Sequence, residues 1–366
     1  MNNNNMKVAI IGCGRISGHH CRSIIQTAGI ELVAVCDLLI DKAIAYADEF
    51  GAKAYADYHT MLNDNPDIDT VTIVTPSGMH YEHTLDIISR YKKNIIVEKP
   101  TFMTPSQVTD AYKKADDAGV QIFAIFQNRH NLAVKRVLKG LKDGELGQIR
   151  SLAVRVRWCR PQHYYDLAPW RGTFAMDGGC LTNQGIHHVD LLRHLGGKVS
   201  RVCSVHKTLG ADIEVEDTVV AAFEFESGAV GSLEITTAAR PIDYEASLSL
   251  VCENGLAQIG GIAVNELQVY TPDPSSCEIN SEDFSGNVYG LGHIKIYEEI
   301  VETSKQDKEF PVSYEDTLAT IQLLNSFYQA DEAKAWVDII STVDSNRLGR
   351  EDNDLADVYR TILPPE

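Results

Sequence analysis

The chain has 366 residues, 44% hydrophobic and 23% charged, which is ordinary for a folded protein and long enough for about two domains. Its 33 basic and 51 acidic side chains leave a formal charge of −18. This excludes nucleic acid as the main partner, because phosphate backbones are bound by clustered positive charge. No apolar run reaches the ~18–20 residues of a membrane span, the opening MNNNNMK has no apolar signal core, and none of the eight cysteines forms a CxxC pair. The expectation is a cytoplasmic protein with buried free thiols, no membrane partner and a disordered tail over residues 1–5.

From residue 7 short β-rich runs alternate with helical patterns. KVAIIG (7–12), ELVAVCD (31–37), DTVTIVTP (69–76), NIIVEKP (94–100) and VQIFAIF (120–126) read as strands, with helices between them. Near-continuous apolar strands require a parallel sheet covered on both faces, so residues 1–126 read as a doubly wound α/β domain. After the first strand comes Gly12-Cys13-Gly14-Arg15-Ile16-Ser17. Gly12 permits a tight turn there, and Gly14 lets the backbone approach a pyrophosphate at a helix N-terminus. Asp37 ends the second strand, twenty residues past Ser17, where a carboxylate can accept from an adenosine ribose. It would also repel a 2′-phosphate, which favours NAD over NADP. In open α/β sheets ligands lie beyond the carboxyl ends of strands. That places TPSGMH (75–80) and Glu98-Lys99-Pro100 in the expected binding region, with Lys99 either a loop lysine steadied by Glu98 or one aimed at nicotinamide and substrate.

Beyond 126 the pattern changes. QIRSLAVRVRWCRP (148–161) alternates polar and apolar residues, and 217–239 reads as a hairpin turning at Ser227-Gly228. Strands continue through 246–272, and helices are expected near 293–305 and 314–337. Residues 127–366 are thus expected to form an α+β domain on a largely antiparallel open sheet, whose free face suits a homo-oligomer, dimer or tetramer.

GGCLTNQGIHHVDLLRHLGG (178–197) sets Asn183, His187, Asp190 and His194 at helical spacing on one line, while His188 sides with Leu191, Leu192 and Leu195. By spacing alone that line is equally a solvent face or a functional one. Arg155 and Arg157 share a strand face, with Arg160 and Arg171 close in sequence, and such a cluster would meet a diphosphate or a uronate unless it is ordinary ion pairing. Tyr164, Tyr165 and Trp170 would stack on sugar or base, or fill core. The histidines offer no cysteine partner at zinc spacing, so no metal is expected.

Together the GxGxx turn with Asp37, the EKP after the fifth strand and the Gly-rich run into GIHHVD resemble the Gfo/Idh/MocA family over residues 6–337. QNRHN (127–131), residues 154–192 and YGLGHIKIYEEIV (289–301) resemble its nucleotide-sugar 3-dehydrogenase branch. The resemblance implies NAD-dependent oxidation of the C3 hydroxyl of UDP-N-acetylglucosamine or its uronic acid in surface-polysaccharide synthesis. It implies Lys99, His187 and Asn183 as catalytic residues, Asn183 standing where many members carry Asp. It implies a cofactor set of Gly12, Gly14, Arg15, Ile16, Asp37, Thr75, Pro76, His80, Glu98, Lys99, Gln127, Trp170 and Arg171. The substrate set is Lys99, Arg157, Arg160, Tyr164, Tyr165, Asn183 and His187, with His293 a further candidate. The alternatives are an inositol or free-sugar dehydrogenase of the same family, or a dinucleotide-binding regulator without turnover.

Overall fold

A computed structural model describes residues 5–284, 289–306, 308–339 and 343–361; the expected tail, apart from Asn5, lies outside them. The chain forms two compact units. The first comprises Met1–Ile125, His293–Leu318 and Glu351–Glu366, and the second Phe126–Gly292 and Ala319–Arg350. A single boundary after 126 was expected, yet two later segments return to the first unit.

The first unit alternates β1 (Met6–Ile11), α1 (Ser17–Gln26), β2 (Ile30–Cys36), α2 (Ile40–Phe50), β3 (Lys53–Tyr55), α3 (Tyr58–Asp64), β4 (Thr70–Ile73), α4 (His80–Tyr91), β5 (Asn94–Val97), α5 (Pro105–Ala118) and β6 (Ile122–Ala124). The strands pair in parallel in the order β3-β2-β1-β4-β5-β6, so the order reverses beside β1 and its carboxyl end opens on the switch point. Strand residues such as Val8, Ile10, Val71 and Ile96 are fully buried, as two covered faces require. Part of one cover comes from the returning segment, where Ile296, Tyr297, Ile300 and Val301 pack on Val8, Ile10, Cys21, Ile24 and Ile96.

The second unit is built from α6 (Leu132–Lys142), β7 (Ile149–Arg157), α7 (Gln162–Tyr165), α8 (Ile186–Gly196), β8 (Val199–Lys207), β9 (Thr218–Phe225), β10 (Val230–Thr236), β11 (Glu245–Cys252), β12 (Leu256–Gly260), β13 (Glu266–Tyr270) and α9 (Ser276–Ile279). After its first residue α10 (Gly292–Gln306) falls in the first unit, as does α12 (Asn353–Asp357); β14 (Val337–Asp338) falls in the second, and α11 (Tyr314–Ala333) divides after Leu318. The eight strands run β13-β12-β11-β7-β10-β9-β8-β14, antiparallel except where β7 and β10 pair in parallel. The β9–β10 hairpin turns at Ser227-Gly228 as expected. One sheet face is buried through Leu152, Val154, Phe223, Leu233 and Ile235; the other exposes Val205, Val220, Val230 and Val251. All eight cysteines are free thiols, and among the described residues no helix is long and apolar enough to cross a membrane.

Candidate active site

In the first unit the turn after β1 is shaped by two glycines with different jobs. Gly12 has φ 98°, and a Cβ there would sit 2.6 Å from the Val74 carbonyl oxygen, so the turn admits no side chain. Around Gly14 a Cβ would meet nothing within 4 Å, which leaves its backbone open to a close ligand. Ser17 donates through Oγ to the Gly12 carbonyl at 2.6 Å and opens α1, and Ile16 before it offers no side-chain cap. The Ser17 and His19 amides are taken by the Gly14 and Ile16 carbonyls, so an anion here would meet the other amides of the turn. Asp37 accepts from the Cys13 amide at 2.8 Å and the Leu39 amide at 2.9 Å, which locks the turn to the end of β2 and leaves carboxylate lone pairs for a ribose. Arg15 is exposed and Ile16 half-buried at the same turn. These residues fit a dinucleotide.

The strand ends beyond β4 and β5 are tied together by buried histidines. His80, expected at the cofactor, is 1% exposed with Nδ1 2.8 Å from the Pro100 carbonyl and Nε2 3.0 Å from the Thr75 carbonyl. Both ring nitrogens face backbone carbonyls, so His80 lies as a clamp between the two loops; burial lowers its pKa, and the neutral ring donates to one carbonyl at a time. Thr75 pairs through Oγ1 with His83 Nδ1 at 3.0 Å, and Pro76 precedes a short turn over Ser77–Met79.

Glu98 is likewise internal. Its Oε1 accepts from His20 Nε2 at 3.0 Å and His293 Nε2 at 3.3 Å, and its Oε2 from the Lys99 amide at 2.9 Å. His20 Nδ1 takes the Tyr297 hydroxyl at 2.8 Å. Burial opposes ionisation of Glu98, but the His20 and His293 hydrogen bonds outweigh it and hold the carboxyl well below its ordinary range. Burial lowers the pKa of His293, and a neutral ring can still donate to Glu98 through its one N–H. Glu98 and His293 thus hold the Lys99 backbone, where cofactor contact and lining of a cleft were expected. Ligand atoms of His20, Glu98 and His293 all lie within 4.8 Å of one another, a spacing open to a cation that the sequence did not suggest.

In the second unit the helical line through Asn183 is broken: Cys180–Gln184 forms a π-helical turn, and α8 starts at Ile186. Asn183 is half-buried and donates through Nδ2 to the Asp177 carboxylate. His187 is 7% exposed, with Nε2 3.0 Å from the Gln127 amide nitrogen. Asp190 is no solvent-face residue: it is 1% exposed and accepts two bonds from Arg129, at 2.6 and 2.8 Å, and one from Thr320 at 3.0 Å. Burial works against its ionisation, and the Arg129 charge overrides that and lowers the pKa. Arg129 and Gln127 share one short turn, so this ion pair fixes Gln127 against His187. His188 is fully buried against the edge of Trp158, its pKa pushed down to about 4 by burial.

Two of the arginines expected to bind substrate are already occupied. Arg157 pairs with Glu234 at 2.6 Å and Glu245 at 3.8 Å, and Arg160 with Asp243 at 2.7 Å; neighbouring Arg155 pairs with Glu245 at 3.2 Å. Tyr165 is 5% exposed, bonded to Thr237 and therefore core. Arg171 differs. Its guanidinium lies 4.4 and 4.5 Å from the ring centres of Tyr164 and Trp170 and donates to the Tyr164 hydroxyl at 2.6 Å, with no carboxylate partner among the described residues. Sequence reasoning overlooked Arg129, Asp177 and His20. The one signal for them was polar residues inside otherwise buried turns.

A glycine-cornered βα turn on a switch-point sheet, with a lysine-bearing loop at a neighbouring strand end, defines a dinucleotide-binding enzyme. Residues 6–126 match an oxidoreductase family with an NAD-binding Rossmann fold, and residues 134–258 the GFO/IDH/MocA C-terminal domain. The WlbA dehydrogenase of Bordetella pertussis, solved with NADH and UDP-GlcNAcA, is 32% identical with a TM-score of 0.86, over 93% of this chain and 99% of that one. The D-glucoside 3-dehydrogenase of Escherichia coli is 29% identical over 65% of this chain and 72% of its own length. The myo-inositol 2-dehydrogenase of Thermotoga maritima is 25% identical over 63% and 68%. The chain belongs to the GFO/IDH/MocA family and is an NAD-dependent oxidoreductase.

Proposed function

We propose that this enzyme oxidises the C3 hydroxyl of a UDP-linked N-acetylhexosamine or its uronic acid, in cytoplasmic surface-polysaccharide synthesis. The observation that carries the reading is the likeness to a dehydrogenase solved with UDP-GlcNAcA, at 32% identity and a TM-score of 0.86 over 93% of this chain. Arg171, stacked on aromatics and without a carboxylate partner among the described residues, supports an anionic ligand such as a diphosphate or a uronate.

When bound, NAD supplies the hydride acceptor. Because an amide nitrogen can only donate, the Gln127 contact leaves His187 Nε2 as the acceptor nitrogen of a neutral ring. A substrate hydroxyl taking the place of Gln127 gives its proton to that nitrogen. Lys99 supplies positive charge to the developing alkoxide. Asn183 cannot take up a proton; with its amide nitrogen turned to Asp177, its carbonyl oxygen orients the hydroxyl. The exposed valines of the second sheet support assembly into a homo-oligomer through that face.

Thermal unfolding with NAD+ and either UDP or myo-inositol tests the substrate class, since a ligand bound by the native state alone raises the midpoint. Stabilisation by UDP is expected. Stabilisation by inositol alone would favour the free-sugar reading, to which the inositol and glucoside relatives point. NAD binding with no turnover of any sugar would leave the regulator.

A further inference from the structure

Glu216 is a carboxyl group for which neither sheet nor chemistry has an evident use. It is 3% exposed, immediately before β9, and its carboxyl lies against Gly179, where a Cβ would come within 2.2–2.4 Å of it. Its Oε1 accepts from the Leu181 amide at 3.2 Å and lies 2.8 Å from the Tyr328 hydroxyl, while its own carbonyl receives the Cys180 amide at 2.9 Å. Its Oε2 has no partner among the described residues. Glu216 therefore holds both amides that open the π-helical turn carrying Asn183.

The hydrogens can be counted. Tyr328, fully buried, has one hydrogen, yet its oxygen faces the Gly178 carbonyl, the Thr182 hydroxyl at 2.8 Å and Glu216. The Gly178 carbonyl can only accept. If Glu216 were a carboxylate, it and that carbonyl would compete for one hydrogen, and its second oxygen would carry buried charge unpartnered. If Glu216 holds a proton, it donates to Tyr328, Tyr328 donates to Gly178, and all three contacts are satisfied.

We propose that Glu216 is a neutral carboxylic acid whose bond to Tyr328 positions the 178–184 turn, and so Asn183, for the substrate hydroxyl. The role for Asn183 rests on the function proposed above; the protonation does not. Burial pushes Glu216 up to about 8, and the charges nearby do not reverse this: Arg347, which favours ionisation, is itself paired with Asp331 and Glu332, the Cys180 thiol is itself pushed up by burial, and His206 packs on Tyr328. An acid raised in the folded state contributes stability below its unfolded value, ~4.3, and loses it as pH rises through about 8.

The test uses the whole protein with Glu216→Gln and Glu216→Ala. Infrared difference spectra at neutral pH should contain a protonated-carboxyl stretch that Glu216→Gln removes. The midpoint of thermal unfolding should fall between pH ~5 and 8 more steeply in wild type than in Glu216→Gln. KM for the sugar should rise at alkaline pH in wild type and stay flat in Glu216→Gln, with kcat little changed. In Glu216→Ala it should be raised about tenfold at every pH, one hydrogen bond's worth. No missing carboxyl band and identical pH slopes would overturn the protonation, whatever the substrate proves to be. A missing band with no alkaline rise of the wild-type KM, for whichever sugar turns over, would overturn the positioning role. If Glu216→Ala does not fold, Glu216→Gln and the infrared band still decide both.

Discussion

The side-chain nitrogen of Gln127 lies 3.0 Å from Nε2 of His187. Since the amide donates, His187 presents a lone pair there, the state a proton acceptor needs. Replacing His187 by Ala is expected to lower kcat by ~10²–10⁴-fold with NAD+ affinity unchanged. Gln127→Glu would set a carboxylate against the ring and favour the imidazolium, which cannot accept a proton. The acid limb of kcat/KM should therefore move to higher pH, by about 1–3 units. A pH–rate profile of the variant checks the direction, and a shift to lower pH would contradict it.

Glu98 gathers His20, His293 and the Lys99 amide around one buried carboxylate. Glu98→Ala should cost about 1–3 kcal/mol of stability, as leaving buried donors without their acceptor does. Because its folded pKa is depressed, its contribution is present above ~4.3 and lost as pH falls below it. Denaturant midpoints of wild type and variant should accordingly converge in acid.

The same three side chains have ligand-like spacing, yet hydrogen bonds already account for the facing atoms. Exhaustive chelation should leave stability and turnover unchanged. A loss restored by a divalent cation would assign the cluster to a metal.

The two glycines of the first turn should separate folding from binding. Gly12→Ala forces a Cβ against the Val74 carbonyl at a positive φ and should cost about 1–3 kcal/mol without cofactor. Gly14→Ala meets nothing in the protein and should fold normally, but raise KM for NAD+ about tenfold, or ~1.4 kcal/mol.

These glycines show what a sequence yields easily: βα alternation and a tight turn are local, and their sterics belong to the residues themselves. For Arg157 and Arg160 the sequence left ion pairing and anion binding open, because their partners Glu234, Glu245 and Asp243 lie some 80 residues on. Asn183 was placed on a regular helix because a π-helical turn leaves no mark in 3.6-residue spacing. The return of residues 293–318 to the first unit has no local signature either, since the apolar face of α10 would suit any core.

Arg171 is the remaining candidate anion anchor of the four arginines. Arg171→Met, which keeps bulk and removes charge, should raise KM for a UDP-sugar by about 10–100-fold, as expected for a charge-assisted hydrogen bond. KM for NAD+ read alongside tells whether the anion is on the substrate or on the cofactor.

The most direct measurement is NADH absorbance with NAD+ and, in turn, UDP-N-acetylglucosaminuronic acid, UDP-N-acetylglucosamine, myo-inositol and free hexoses. NADH formed with a UDP-sugar, at least stoichiometric with enzyme and abolished in His187→Ala, is the expected result. Turnover of inositol or a free sugar with none from any UDP-sugar would contradict the proposed substrate and leave a family dehydrogenase of a different alcohol.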